Sequence, residues 1–179
     1  MGDVLKGAAI GMAAGVAAAW VMQQFQTAAA QGVKKARQSM GLPQPTIGPR
    51  ADGRDPQEQQ QGEPSAIRAA TAVAERVLHR PIPKEHEETA GAIAHYGLGA
   101  FCGAAYGAAA ELTPHVTAGH GTAFGAAVWL LADEIAVPAL GLSLPPTKHP
   151  RSTHLFALSS HLVFGATTEL LRRAMRDRM

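Results

Sequence analysis

The stretch GAAIGMAAGVAAAWVMQQFQTAAA, residues 7–30, decides how this chain is read. It holds no charged residue over 24 positions. As a helix it would be about 36 Å long, enough to cross a hydrocarbon core of roughly 30 Å. Gly7, Gly11 and Gly15 repeat every four residues on one face of that helix, and Gly99, Gly103 and Gly107 repeat the pattern later. In lipid there is little hydrophobic drive between helices, so close backbone approach through small residues supplies much of the packing. A water-soluble bundle would instead place Leu, Ile and Phe on its buried faces. There, each exposed helical glycine would cost ~1 kcal/mol relative to alanine. The repeated glycines therefore predict helices packed inside a membrane. Lys34, Lys35 and Arg37 follow as an interfacial anchor. The same segment also fits a secretory signal peptide, with Ala28, Ala29 and Ala30 as a small-residue cleavage run; retention as a span is the expectation.

The whole-chain averages conceal this. With 46% hydrophobic and 17% charged residues and a net charge of +2, the 179 residues could pass for one ordinary soluble domain. The charges are unevenly placed: residues 7–32 and 89–147 hold only Glu111, Asp133 and Glu134. The 36 alanines and 19 glycines make up nearly a third of the chain. The mild charge and 5% aromatic content exclude a basic, aromatic-studded nucleic-acid surface. Cys102 is the single cysteine, so an intramolecular disulfide and a CxxC pair are excluded. No GxxxxGK[ST] phosphate loop and no GxSxG elbow occurs. The scarcity of β-branched runs in the apolar segments argues against a sheet.

The expectation is an all-α chain forming a single helical membrane domain over 1–179. Its spans are 7–30, 89–110, 119–141 and 153–171, each 19 to 24 residues long. Short connections between the last three make the four helices an antiparallel bundle. Residues 41–64 contain five prolines and a glutamine run and are expected to form a mobile loop. Ser65 reads as an N-cap for an amphipathic helix over 66–80, ended by Pro81. This helix lies either on the membrane surface or against its own bundle. Eleven of the 16 Lys and Arg fall on the side of the long loop, which leans that side toward the cytoplasm. Arg172, Arg173, Arg176 and Arg178 argue the other way.

Rise per residue places His95, Glu134 and His161 at one depth, roughly 10–13 Å below the loop-side surface, with Asp133 almost level. Cys102 and Tyr106 share a face with His95, and His154 shares one with His161. Ionisable groups at membrane depth are costly and face the bundle interior, a partner or a cavity. Three readings stay open. His95, Asp133, Glu134 and His161 could ligate a divalent metal such as Zn, Fe or Mn. The same groups could relay protons, since histidine titrates near neutrality. They could also form a hydrogen-bond cluster that fixes the packing. No HExxH or ExxH spacing supports the metal reading. A second polar layer holds Glu111, His115, His120 and Glu169 with Arg172 and Arg173, and reads as solvated helix ends. His79, His86 and His149 fall in loops.

Residues 90–175 resemble a family of uncharacterised bacterial inner-membrane proteins typified by YagU. The resemblance is carried by His95, Tyr106 and Ala110-Glu111. It continues in Val137-Pro138-Ala139-Leu140-Gly141-Leu142 with Pro145-Pro146, and in His161-Leu162-Val163 with Glu169-Leu170-Leu171-Arg172-Arg173. It implies a multi-pass inner-membrane protein with no established enzymatic activity. That family's suggested link with acid tolerance carries the reading toward protons. The chain departs from the pattern in keeping only Lys6 before the first span and in carrying Asp133-Glu134 where a histidine is familiar.

Two functional expectations follow. The first is a non-enzymatic membrane protein whose His/carboxylate layer handles protons or a metal ion. The second is an accessory subunit packed against a larger membrane complex. A metal-dependent membrane enzyme is a further alternative. The expected partners are the lipid bilayer and a second copy or a larger complex, through Gly/Ala helix faces, with no nucleic acid.

Overall fold

The computed structural model describes residues 1–42, 65–76 and 79–178, and among these every regular element is helical. Helix α1 is Gly2–Ser39, α2 is Ser65–Arg76 and α3 is Glu87–Leu112. Helix α4 covers 122–139 in three consecutive parts: α-helical Thr122–Trp129, π-helical Leu130–Ala136 and α-helical Val137–Ala139. Helix α5 is Arg151–Arg176. Most of the loop expected over 41–64 lies outside the described residues, as do 77 and 78 near the end of the expected amphipathic helix.

The glycines set the closest contacts. A Cβ built on Gly11 would sit 2.1 Å from the Gly103 carbonyl oxygen, and one on Gly15 would sit 2.2 Å from that of Gly99. From the other side, Gly107 and Gly103 would meet the carbonyls of Gly7 and Gly11 at 2.1 and 2.2 Å. Helices α1 and α3 are therefore antiparallel, with backbone against backbone along three turns. Each glycine Hα points at a carbonyl of the other helix, the arrangement that favours weak C–H···O bonds. The two glycine faces cover each other within the chain.

Helices α4 and α5 meet in the same way. The Gly165 carbonyl lies 2.2 Å from a Cβ built on Gly121, and the His161 carbonyl 2.1 Å from one built on Gly125. Gly121 also has φ +85°, a left-handed conformation that side chains rarely adopt. It ends a left-handed run begun by Gly119 and His120, which turns the chain from the 3-10 segment Pro114–Gly121 into α4. That run starts the regular α4 helix at Thr122, later than the span expected from residue 119. Helix α5 also packs antiparallel on α1, with Phe25 stacked on Phe156 at 6.5 Å and Arg176 beside Asp3.

The core is small and apolar: Ala18, Ala19, Met22 and Phe164, with Tyr96, Cys102, Phe124 and Val128 packed around it. Outside it, large apolar side chains face outward on every long helix. They include Trp20 on α1, Ile93 and Phe101 on α3, Leu131 and Ile135 on α4, and Leu155 and Leu170 on α5. Among the described residues, two helical stretches are long and apolar enough to cross a membrane, Gly2–Ser39 and Pro114–Ala139. Helices α3 and α5 have the length, but His95 and the glycines dilute the hydropathy of α3. The serines, threonines and histidines of α5 dilute it further.

Helix α2 packs on its own chain. Ile67 fills the notch left by Gly91 on α3, Ala74 is buried, and Arg76 Nη1 donates to the Leu140 carbonyl at 2.8 Å. This ties α2 to the end where α4 stops and α5 begins.

Candidate functional site

The site grows from Pro138. Proline has no N–H to give the Glu134 carbonyl, and its ring crowds that carbonyl. The preceding turns widen, and Val137 N–H bonds back to Ala132 across a π-type step. Single π segments inside α-helices recur at functional sites. Here the widened turn carries two acids, Asp133 and Glu134, side by side.

Each acid meets its own imidazole on α5. Glu134 Oε1 is 2.6 Å from His154 Nδ1, and Asp133 Oδ2 is 3.7 Å from His161 Nδ1. His154 Nε2 lies 3.0 Å from the Pro146 carbonyl, which can only accept, so that nitrogen carries a proton. A further proton can then be shared between Nδ1 and Glu134. By the same logic His161 Nδ1 donates to the Ala157 carbonyl one turn back, at 3.0 Å. Asp133, Glu134 and His154 line a cleft of about 140 Å³, together with Arg68 of α2 and with Ser143, His149 and Thr153.

His95 does not join this cluster. Its Nε2 is 3.3 Å from the Ala19 carbonyl of α1, and its ring is edge-on to Tyr96. The cause is azimuth: His95 precedes Gly99 by four residues and lies on the stripe that faces α1. Helix α4 carries the acids, and α5 their histidine partners, elsewhere around the bundle. Among the described residues, no three His, Cys, Asp or Glu side chains converge as metal ligands would. His154 and Arg68 replace His95 at the cleft. The signal for His154 was its position, one helical face with His161 and two turns nearer the loop. His149, expected as a loop residue, lines the cleft edge.

The second polar layer departs from the solvated helix ends expected of it. Glu169 is only 1% exposed. Its carboxylate accepts from Arg172 Nε at 2.7 Å and Nη2 at 3.0 Å, from Arg173 Nε, and from Tyr106 Oη at 2.9 Å. Arg176 Nη2 donates to Glu111 at 2.9 Å and Asp3 at 3.3 Å, joining α5 to α3 and α1. Three arginines thus meet three carboxylates, and the buried charges are compensated. The spacing of Glu169 with Arg172 and Arg173 was legible; what buries it is Tyr106, from a helix 63 residues away in sequence. His115 and His120 remain exposed.

No curated protein and no solved structure shows significant similarity to the chain. A family profile does match, over residues 48–170, covering both the π segment and the paired histidines. The chain accordingly belongs to DUF1440, a family of proteins of unknown function.

Proposed function

We propose that this is a small multi-pass inner-membrane protein of YagU-like type. In this reading α1, α3, α4 and α5 all cross the bilayer, the long loop faces the cytoplasm, and the protein has no enzymatic activity. It takes up and releases protons at Asp133 and Glu134, with His154 hydrogen-bonded to Glu134 and the His161 ring beside Asp133. The observation that carries the reading is the pairing itself: neighbouring acids on a π segment, each with an imidazole beside it, at a cleft of about 140 Å³. The outward apolar side chains of all four long helices support the bilayer setting.

The metal alternative calls for a third ligand at the pairs. The accessory-subunit alternative called for outward glycine faces, and here those of α1 and α3 cover each other. A partner or second copy would use another surface.

The test is infrared difference spectroscopy on reconstituted protein between acidic and neutral pH. A protonated-carboxyl band is expected to appear on acidification. Asp133→Asn and Glu134→Gln should each remove part of it. An unchanged band in the double variant would overturn the assignment.

A further inference from the structure

Between the two polar clusters lies a short apolar layer. His161 and Glu169 are eight residues apart on α5, or about 12 Å along the axis. Three rings fill that interval. Tyr106 of α3 stacks on Phe124 of α4 at 4.3 Å, and Phe124 leans on Phe164 of α5 at 5.8 Å. Phe164 and Tyr106 are buried, and Phe164 packs in the apolar core with Ala18 and Ala19, against which Phe124 also lies. The hydroxyls at this level offer no step across it. Ser160 Oγ donates to Phe156 O, and Thr168 Oγ1 donates to Phe164 O, each within its own helix. The Tyr106 hydroxyl is turned to Glu169, away from the cleft end.

Phe124 is the middle ring. The glycine contacts draw α1 to α3 and α4 to α5. Helices α3 and α4 are bridged by the Tyr106–Phe124 stack instead.

We propose that Phe124 is the insulating plug of this protein: it closes the gap between α3 and α4 and keeps the Asp133–His161 cluster from connecting with the Tyr106–Glu169 cluster. The groups facing it are Asp133 and His161 toward the cleft end, and Tyr106 and Glu169 with Arg172 and Arg173 toward the other. Helix α1 presents only apolar side chains at this level. The proposal rests on the proton reading above for what would pass, and on ring geometry for what stops it. Apolar constrictions block conduction by staying dry, and removing one ring between two polar clusters leaves space that water with polar partners can fill.

The experiment is proton leak into vesicles carrying the full chain, read with an internal pH dye. Phe124→Asn, Phe124→Ala and Phe124→Leu are compared with the wild type, each checked for helical content and a single size-exclusion peak. Folded Asn and Ala variants are expected to raise the leak about tenfold or more, and Leu to stay near wild type. If every folded variant is as tight as the wild type, the plug is overturned, while the infrared test still judges the proton sites. Leu is the variant most certain to fold; equal leak in Leu and in a folded Asn or Ala variant would also overturn the plug. Adding Asp133→Asn to a leaky variant separates the two ideas. A suppressed leak supports both, and an unchanged leak keeps the plug and sinks the proton role of Asp133.

Discussion

Glu169→Gln is expected to destabilise the protein by about 3–5 kcal/mol, the cost of leaving a buried charge without its partner. Glu169 is 1% exposed and receives both Arg172 contacts, the Arg173 contact and the Tyr106 hydroxyl. The glutamine is neutral and can accept through one oxygen only, so Arg172 is left buried against an amide. Tyr106→Phe removes a single hydrogen bond to the same carboxylate and should cost about 1–2 kcal/mol. Urea unfolding in mixed micelles, followed by far-ultraviolet circular dichroism, measures both. The control is the joint replacement Glu169→Leu with Arg172→Leu, which removes charge and partner together and should recover most of the loss. If the joint variant is no better than Glu169→Gln, the network contributes by shape and not by charge compensation.

Gly103→Ala should be about as damaging, at about 3 kcal/mol or more, through overpacking against a backbone that cannot rotate away. The added methyl would lie 2.2 Å from the Gly11 carbonyl oxygen and 2.8 Å from the Gly15 Cα. Both helices must separate to admit it, which undoes contacts along three turns at once. Gly97 on the same helix is the comparison, because a Cβ there meets nothing within 4 Å. Gly97→Ala should be neutral or stabilising by about 0.5–1 kcal/mol, through helix propensity alone. Thermal unfolding of the two variants in one detergent decides the matter, and equal melting temperatures would overturn the contact argument.

Much of the architecture was legible in the sequence because it depends on local periodicity. The charge-free runs and their prolines located the helices, although α1 continues to Ser39 through Lys34, Lys35 and Arg37, well past the end expected at residue 30, and the spacing of Gly7, Gly11 and Gly15 marked a packing face. The same spacing at Gly121 and Gly125 carried the same signal, and it marks the α4–α5 contact. Apolar character is less uniform than segment lengths imply. Among the described residues, two helices pass on length and hydropathy. Some of the polar residues that lower α3 and α5 are engaged inside the fold, among them His95, Ser160, His161, Thr168 and Glu169.

The site was legible by depth but not by direction. Counting residues along each helix put His95, Asp133, Glu134 and His161 at one level, and Asp133 and His161 do meet there. His95 turns to α1, and His154 takes the place beside Glu134. Rise per residue is a property of one helix and follows from sequence alone. Which side of that helix faces which neighbour depends on how four helices pack. The burial of Glu169 is of the same kind: its arginines are local in sequence, while Tyr106 arrives from another helix. Composition and periodicity thus determined the helices and the glycine faces. Only the tertiary structure decided which acid finds which histidine, because that pairing is set by rotation about helix axes, on which a single chain's periodicity carries no information.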